Sequence, residues 1–307
     1  MTCRNFSFLP VLFIFLTSVS LVAVAGPGPT SFDCEHANAL AAGVNDAGVI
    51  VGAFTDASNL DLNTVRGFVR DKQGNCSPLD YPGAAATIPA AINDPGQIVG
   101  TYYDDSGQHA FLYEKGHFQN IDYPGACQTS VSGINNRGDI VGFYDLLTQS
   151  GCERDYAYVR FSDGIVKTLS PPPGATDSYQ ANGINARGQI VGFFLDTNTQ
   201  DEHGYASDTT NGTFASFDPP GSLATKPQSI NAQGEIVGTY FSHHELQPIG
   251  DCNSFFRDKD GSIKTFSYPG AQYTCSFGID ASGSIVGGWF NGIRWQAFIA
   301  DKTALMP

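Results

Sequence analysis

The sequence predicts an all-β protein, a six-bladed β-propeller of four-stranded antiparallel blades that is closed by an N-terminal strand joining the last blade. Three observations lead to this prediction. One motif recurs six times along the chain, the composition favours turns and strands, and the last copy lacks a fourth strand that the N-terminus can supply.

The repeat is clearest in residues 91–100, which read Ala-Ile-Asn-Asp-Pro-Gly-Gln-Ile-Val-Gly. Related strings occupy residues 43–52, 133–142, 183–192, 229–238 and 278–287. Their closing glycines lie 42 to 50 residues apart, a spacing that suits four short strands with their turns. An open β-solenoid would have shorter repeats and capping ends, so the repeats favour a propeller.

Each copy can be divided into strands. Ile92 ends a short apolar strand, and the Asn-Asp-Pro-Gly string that follows is typical of a tight turn. Residues 97–103 are rich in β-branched and aromatic side chains, which favours a second strand. Gly100 within it indicates close approach of a neighbouring backbone or bulky side chain. Residues 109–113 form the third predicted strand.

The fourth predicted strand is short and ends at a Pro-Gly pair, as in residues 79–83 and 121–125. Only five copies have it, because the sixth copy runs out after Asp301. Phe32 lies 12 residues before Val44, which matches the offset between fourth strand and next repeat elsewhere. The N-terminal segment is therefore predicted to complete the last blade.

The N-terminus has the pattern of a secretory signal peptide. Arg4 precedes an apolar run over residues 6–24 that ends at Ala25 in an Ala-x-Ala string. A membrane anchor is the alternative, but Thr17 and Ser20 interrupt the run. We therefore expect a secreted protein, extracellular or periplasmic. The predicted divisions are a signal peptide (1–25), a Gly/Pro linker (26–30), the propeller (31–303) and a tail (304–307).

Charge and composition argue against nucleic acid binding and against membrane insertion. The formal net charge of −14 argues against binding nucleic acid and favours cations or basic partners. No later stretch has the roughly 18 apolar residues of a membrane span, so we expect no membrane insertion of the mature chain. With 35 Gly, 17 Pro and 15% charged residues, long exposed helices are disfavoured.

The Ile-Asn-x-x-Gly-x-Ile-Val-Gly motif, together with His109-Ala110-Phe111, resembles the extracellular HAF repeat family, which is named after those three letters. The resemblance runs from about Phe32 to Asp301. It implies secretion and a repeat fold. It implies no activity and no catalytic residues.

The long connections of the predicted propeller share one face and are acidic. Four carboxylates directly beyond second strands are candidate calcium ligands, because Ca²⁺ binds oxygen atoms. They are Asp56, Asp104, Asp145 and Asp196. Solvated loop carboxylates are the other interpretation, since no Asp-x-Asp-x-Asp-Gly loop is present. No other cofactor is expected.

Aromatic and histidine side chains near these connections are candidates for a ligand-binding face. They are Tyr103, Tyr144, Phe194, His243 and Trp289. Aromatic rings stack on sugars, but they also pack between blades. His243 belongs to a His-His-Glu string without the spacing of a zinc site.

Six cysteines remain after cleavage, and in an exported chain an even number indicates disulfides. Cys127 and Cys152 fall on the long-loop face of the third blade, and Cys252 and Cys275 are related in the same way. We predict these two pairs. The remaining two, Cys34 and Cys76, fall on opposite faces and are left unpaired.

The sequence favours a non-catalytic binding or interaction module whose partner is an extracellular glycan or protein, because a repeated scaffold carries variable loops. Two alternatives stay open. One is an extracellular enzyme, of lyase or glycosidase type, with its site at the long-loop mouth of the channel. The other is a structural matrix component.

Overall fold

The computed structural model of the chain describes residues 28–34, 38–55, 65–149, 151–208, 213–242 and 252–306, with the backbone alone at 153–155 and 176–177. Within these residues the chain forms 24 β-strands and one short helix, α1 (Lys302–Leu305). Nearly all strand pairs are antiparallel and join neighbours in sequence. The protein is therefore all-β, as the sequence predicts.

The strands follow one another in meanders with four positions. The first strands are β2 (Asn38–Val44), β6 (Ala86–Ile92), β10 (Gln128–Ile134), β14 (Ala175–Ile184), β18 (Ala224–Ile230) and β22 (Tyr273–Ile279). The second strands are β3 (Ile50–Thr55), β7 (Ile98–Asp104), β11 (Ile140–Thr148), β15 (Gln189–Asp196), β19 (Ile236–Phe241) and β23 (Ser284–Phe290).

The outer two positions hold shorter strands on average. The third strands are β4 (Arg66–Arg70), β8 (Gly107–Glu114), β12 (Gly151–Arg160), β16 (Glu202–Asp208), β20 (Asn253–Arg257) and β24 (Trp295–Asp301). The fourth strands are β5 (Cys76–Pro78), β9 (His117–Asn120), β13 (Val166–Thr168), β17 (Thr213–Phe217) and β21 (Ile263–Phe266).

The remaining strand, β1 (Thr30–Phe32), pairs antiparallel with β24. Ser31 lies opposite Phe298, and Phe32 lies opposite Ala297. The Phe32 ring also meets the Phe68 ring of the first meander edge to face, with centroids 6.3 Å apart. The first and last strands of the described chain thus lie in one sheet.

The meanders do not all form separate sheets. Three are four-stranded sheets, whereas β10 to β21 belong to one sheet of twelve strands. Single parallel pairs, Tyr156 with Tyr179 and Glu202 with Ala224, join its meanders. Each bridge joins a first strand, β14 or β18, to the third strand of the meander before it. The sequence did not predict this joining.

The fourth strands end earlier than the sequence predicts. β5 ends at Pro78 and β9 at Asn120, so both precede the Pro-Gly pair instead of running into it. The pair lies in a turn, in which Ala84 N donates to Tyr81 O over 3.1 Å. Gly83 has a φ of 83°, which an L residue rarely adopts. The Pro-Gly pair therefore belongs to a turn, and the fourth strand ends before that turn begins.

The repeated glycine of each second strand faces a bulge in the first strand. An added Cβ at Gly142 would lie 2.0 Å from Ser130 O, and at Gly100 2.8 Å from the Phe111 ring. The bulge lies at this level, between Val131 and Gly133. The close approach predicted from the sequence is therefore confirmed. It recurs at Gly52, Gly192, Gly238 and Gly287.

The apolar core lies between neighbouring meanders. Val141 of the third meander packs in one cluster with Ile190 of the fourth. Phe68 of the first meander shares a cluster with Val286 of the last. Alternating side chains of each strand thus face the preceding and the following meander, as expected for sheets buried on both faces.

Five buried asparagines connect successive first-to-second turns. Each Nδ2 donates to the backbone carbonyl oxygen of the corresponding residue in the next meander, over 3.0–3.2 Å. Each Oδ1 also accepts the backbone N–H four residues further on, which closes its own turn. We call these side chains the asparagine network. Its members are Asn45, Asn93, Asn135, Asn185 and Asn231.

The sixth position of this series holds Asp280. A carboxylate cannot donate a hydrogen bond, so the series ends there. Its Oδ1 accepts the backbone N–H of Ser284 over 2.8 Å. At this junction Ala281 N donates to Asp46 Oδ1 over 2.8 Å, and Asp46 N donates to Asp94 Oδ1 over 2.8 Å. A second series of side chains thus joins the last meander to the first.

Three disulfides connect neighbouring segments of the fold. Cys127 pairs with Cys152 and Cys252 with Cys275, with Cα–Cα distances of 6.0 Å and 5.6 Å. These are the two pairs that the sequence analysis predicts. Disulfides are typical of proteins in oxidising compartments.

The third pair, Cys34 with Cys76, corrects the expectation that these residues lie on opposite faces. Their Cα atoms are 5.7 Å apart. Arg70, the ladder partner of Cys76, places its guanidinium 4.5 Å from the centre of the Phe32 ring. The outer edge of the first meander therefore lies beside β1. Assigning each cysteine by its neighbouring turn overlooked this contact between sheets.

The C-terminus of the described chain packs on the last meander. Asp301 caps α1 by accepting Thr303 N over 2.8 Å, and Leu305 is buried. Part of the segment that the sequence predicts as a tail is therefore packed. No helix among the described residues is long and apolar enough to cross a membrane.

Replacing Gly142 by alanine should lower the free energy of unfolding by about 2–4 kcal/mol, because the new methyl group would collide with the Ser130 carbonyl. Urea titration followed by circular dichroism measures this loss. Gly28→Ala is the control, since nothing lies within 4 Å of its added Cβ. Equal stability of the two variants would contradict the close approach.

The asparagine network predicts opposite effects of two isosteric changes. Asn185→Asp removes the donor to Asn231 O and should cost about 1–3 kcal/mol of unfolding free energy. Asp280→Asn supplies the missing donor and should add about 1 kcal/mol. Urea titration measures both changes in the free energy of unfolding.

Asn291→Asp is the matched control. Asn291 Oδ1 accepts two backbone N–H groups over 2.9 Å in an exposed turn, and an aspartate accepts equally well. Its stability should stay within about 0.5 kcal/mol of the wild type. A loss in Asp280→Asn, or none in Asn185→Asp, would show that the network does not connect the turns.

Breaking the Cys34–Cys76 bond should lower the free energy of unfolding by about 2–4 kcal/mol, because it joins residues 42 positions apart. Cys34→Ser with Cys76→Ser is compared with the wild type in urea. Peptide mapping without reduction should recover this pair beside the other two, and any crossed pairing would contradict the placement of β1.

Candidate functional site

The connections of the fold gather on two faces. One face carries the first-to-second turns with the asparagine network, and we call it the turn face. The second-to-third connections and the links between meanders lie at the other strand ends, and we call this side the loop face. The long connections predicted to carry function belong to the loop face.

A cavity lies inside the six first strands near the turn face. It holds about 110 Å³ of space that water can reach, against the roughly 300 Å³ or more of typical ligand pockets. It can hold water molecules, and it is too small for a sugar or a peptide. It is lined by residues 42–46, 90–94, 132–136, 182–186, 228–232 and 277–281.

The candidate calcium ligands are not brought together. Asp56 lies outside the described residues, and Asp104, Asp145 and Asp196 belong to three different meanders. The described ranges contain no group of three acidic, histidine or cysteine side chains that could hold a metal ion. The backbone N–H groups of Asn198 and Thr199 donate to Asp196 and lower its pKa. The Asp196 carboxylate therefore stabilises the turn that follows it.

Two predicted ligand-face aromatics are buried, which corrects the sequence interpretation. Tyr144 is 6% exposed and stacks on Tyr123 with ring centroids 3.6 Å apart. Phe194 is 3% exposed and packs with Tyr179 in the core between the third and fourth meanders. Their rings fill the space between sheets, so they offer no surface to a sugar.

The other candidates are placed differently. Trp289 is half-buried and stacks on Tyr268, with ring centroids 4.5 Å apart. Tyr103 is half-buried, and its hydroxyl donates to Gln108 Oε1 over 2.8 Å. His243 lies outside the described residues. Among the described candidates, Tyr103 and Trp289 keep some exposure at the ends of second strands.

An apolar hairpin projects from the loop face of the third meander. Residues 145–155 belong to one of the long connections of the predicted propeller. In the structure β11 and β12 continue through most of this segment as a ladder in which Leu147 lies opposite Cys152. Cys152 is bonded to Cys127 in the link that precedes β10. Leu147 is 77% exposed and Leu146 38% exposed. A disulfide therefore anchors a hairpin that presents leucine to solvent.

A serine, a histidine and an aspartate lie in hydrogen-bonding order on the second meander. Ser106 Oγ is 2.8 Å from His109 Nε2, and His109 Nδ1 is 2.7 Å from Asp122 Oδ2. Ser106 lies in the β7–β8 turn, His109 lies in β8, and Asp122 follows β9. This is the order of nucleophile, base and orienting acid in serine hydrolases.

The aspartate is held by several donors. Its Oδ1 accepts Ala110 N over 2.8 Å, and its Oδ2 accepts Asn120 Nδ2 over 2.9 Å. The His109 ring stacks on Tyr102 at 5.1 Å. Burial raises the pKa of Tyr102 to about 12, so its phenol stays neutral. The imidazole is thus fixed on one face by an aromatic ring and at Nδ1 by a carboxylate.

Asp104 is the second acceptor near the serine hydroxyl. Its Oδ1 lies 2.6 Å from Ser106 Oγ and accepts Ser106 N over 2.8 Å. The hydrogen bonds from the Ser106 side chain and backbone lower the pKa of Asp104. This carboxylate is therefore ionised at neutral pH, 3.4 Å from His109 Nε2.

The histidine–aspartate pair recurs in the fourth meander, where no serine among the described residues bonds to the imidazole. His203 Nδ1 lies 2.6 Å from Asp218 Oδ2, and Gly204 N donates to Asp218 Oδ1 over 3.4 Å. The pair therefore connects the third strand to the segment beyond the fourth in two repeats. Ser106 is what distinguishes the second meander.

A cavity of about 380 Å³ opens beside this serine. It is bounded by the link between the first and second meanders and by the β7–β8 turn. Its volume falls within the usual range of ligand pockets. The lining consists of Gly83, Ala84, Ala85, Asp104, Asp105 and Ser106.

Sequence reasoning missed this arrangement, because no local motif marks it. The repeat itself contained the signal. His109 and His203 both begin third strands, and an aspartate follows each short fourth strand, at Asp122 and Asp218. Their antiparallel pairing brings the two positions together. Nothing in the sequence around Ser106 marks it as a functional residue.

A family model described as "Protein of unknown function (DUF3466)" matches residues 29–214, more than half of the chain. No curated protein sequence shows significant similarity.

Several solved structures are similar at low identity. The β-propeller domain of the trilobed protease from Pyrococcus furiosus has a TM-score of 0.50 at 14% identity, over 86% of this chain and 94% of that one. A luciferin-regenerating enzyme has a TM-score of 0.55 at 10% identity, over 91% and 97%. TolB from Acinetobacter baumannii has 0.51 at 12%, over 82% of this chain.

The chain spans 63% of the length of that TolB, less than two thirds. Similarity at sequence identities this low shows a shared fold and carries no information on function. Together with the antiparallel meanders, the similarity shows that this chain has a β-propeller type of fold.

Proposed function

We propose that this chain, which belongs to the DUF3466 family of unknown function, is an exported six-bladed propeller. We propose further that it binds a protein partner through its loop face. The exposed leucine on the disulfide-anchored β11–β12 hairpin is the observation that carries this proposal.

The ring of six blades rests on contacts between the ends of the chain. β1 pairs with β24, and Phe68 of the first meander shares an apolar cluster with Val286 of the last. Ala281 N donates to Asp46 across the same junction. These contacts support a closed propeller in which each meander is one blade. We also propose that its six copies are HAF-type repeats.

Export is supported by three disulfides, which persist in oxidising compartments. The apolar N-terminal run and its Ala-x-Ala string add a predicted signal peptide over residues 1–25. We propose an extracellular or periplasmic location on these grounds.

Binding at the hairpin follows from the cost of exposing Leu147. A leucine that is 77% exposed adds little to the stability of the fold, whereas burial in a complex is worth about 1.5–3 kcal/mol for a full side chain. The disulfide limits the motion of the hairpin, so less conformational entropy is lost on binding. A fixed apolar anchor of this kind is typical of protein recognition.

A protein partner fits better than a glycan. Sugar recognition would need exposed aromatic faces, but Tyr144 and Phe194 are buried between meanders. Tyr103 and Trp289 keep only part of their surface exposed and belong to different meanders, so they do not form one stacking surface. The hairpin instead offers aliphatic side chains beside an acidic face. A partner with an apolar pocket and basic surroundings is the complementary surface.

The test uses photo-crosslinking from two positions. Leu147 is replaced by p-benzoylphenylalanine, and Ile165, 62% exposed on the turn face, receives the same residue as the matched control. Purified protein is irradiated with the extracellular proteins of the producing cells. We expect a discrete crosslinked product from position 147 alone. Wild-type protein should compete for it, with Leu147→Asp weaker by about 10-fold.

Three outcomes would contradict the proposal. Identical products from positions 147 and 165 would indicate nonspecific contact. Products that contain only second copies of the chain, together with oligomers in size-exclusion chromatography, would favour the matrix alternative. Equal competition by Leu147→Asp would show that the leucine is not the anchor.

A further inference from the structure

We propose that Ser106, His109 and Asp122 form a hydrolytic site that cleaves short-chain carboxylic esters of neutral or cationic alcohols. This activity goes beyond partner binding. It uses the second meander, whereas the proposed contact uses the β11–β12 hairpin of the third. The two functions can therefore fail separately.

The three groups already have the spacing that the reaction needs. The Ser106 Oγ to His109 Nε2 distance is 2.8 Å, and the His109 Nδ1 to Asp122 Oδ2 distance is 2.7 Å. Asp122 orients the imidazole through Nδ1. The Ser106 hydroxyl has one proton and two acceptors, Asp104 Oδ1 at 2.6 Å and His109 Nε2 at 2.8 Å. The reaction uses the orientation of the hydroxyl that directs this proton to Nε2. Ser106 is exposed and lines the 380 Å³ cavity, so an ester can reach its oxygen.

Two comparisons within the chain show what is particular to this site. His203 and Asp218 repeat the pair at 2.6 Å but hold no serine. Ser282 Oγ donates to Asp280 Oδ1 over 2.7 Å, as Ser106 does to Asp104, but no histidine bond accompanies it. Only in the second meander do the described residues combine serine, histidine and aspartate. These two positions are natural controls.

The reaction balances with water as the only co-reactant. Ser106 Oγ attacks the ester carbonyl carbon while its proton moves to His109 Nε2. The bond from the carbonyl carbon to the alcohol oxygen breaks, and the alcohol leaves with that proton. Water then attacks the acyl-serine, gives one proton to Nε2 and becomes part of the released acid. Ser106 recovers its proton as its bond to the acyl group breaks.

Charge defines the substrate class. Asp104 and Asp105 both line the cavity, and the chain carries a net charge of −14. Anionic esters are therefore repelled, whereas neutral and cationic esters can enter. The backbone of Gly83, Ala84 and Ala85 bounds the other side, which leaves room for a small acyl group.

The experiment combines hydrolysis and covalent labelling of the purified full chain. p-Nitrophenyl acetate is the substrate, and a fluorophosphonate is the label. We expect Ser106→Ala to lose hydrolysis by about 10³-fold and to lose the label entirely. His203→Ala and Ser282→Ala should keep both within about 3-fold, since they change only the matched controls.

The charge prediction has its own readout. An anionic substrate, p-nitrophenyl hemisuccinate, should react more slowly than the acetate by about 10-fold in the wild type. Asp105→Asn removes one charge from the cavity without touching the three reacting groups. It should raise the ratio of kcat/KM for the hemisuccinate to kcat/KM for the acetate, and an unchanged ratio would contradict the charge argument.

Mass spectrometry of the labelled peptide decides the assignment. Label on Ser106 supports it, and label on Ser282 or on no serine overturns it. Undiminished hydrolysis in Ser106→Ala, with a wild-type melting curve, would also overturn it. Wild-type crosslinking from position 147 in that variant would leave the binding proposal intact.

Discussion

The side-chain amide that donates from one turn to the next is the interaction on which the rest of the structure depends. An asparagine can close its own turn through Oδ1 and still donate from Nδ2. In four of the five members of the network, the second Nδ2 hydrogen also binds a side chain four residues on, as Asn93 does with Gln97 and Asn231 with Glu235. Each net bond is worth about 1 kcal/mol, but an unpaired buried amide would cost more. The network therefore fixes both the shape of each turn and the spacing of the meanders.

Fixing the turn face leaves the opposite strand ends free to differ. The β7–β8 turn is tight and carries Ser106, whereas the β11–β12 hairpin is long and carries Leu147. Neither change disturbs the first strands, because those are connected at their far ends. Disulfides, rather than a further hydrogen-bond series, hold loop-face segments such as this hairpin. This division explains how one repeated scaffold can carry both an apolar contact and a polar cluster.

Sequence periodicity was enough to predict strands where side-chain pattern and turn chemistry agree. The Ile92-Asn93 junction marks the end of a first strand because an apolar residue meets a turn asparagine, and the structure ends β6 there. Gly100 marks a close approach, which the added-Cβ distances bear out. The short fourth strands were misplaced, because a Pro-Gly pair indicates a turn but not how far before it pairing stops.

Contacts between sheets were beyond what the sequence could show. Cys34 meets Cys76 only because the edge of the first meander lies against β1. Tyr144 is buried because Tyr123 from the preceding link stacks on it, and exposure could not be judged from its position in a strand. Asp122 reaches His109 through antiparallel pairing across β8 and β9. In each case the contact partner depends on how the sheets pack and on the register of the strands. The residue pattern of one strand does not carry this information.

Hydrogen exchange of the asparagine side chains, followed by NMR on the folded protein, tests the network most directly. The account predicts that the Nδ2 protons of Asn45, Asn93, Asn135, Asn185 and Asn231 exchange at least about 100-fold more slowly than those of exposed Asn291. Exchange of two or more of these amides as fast as that of Asn291 would contradict it.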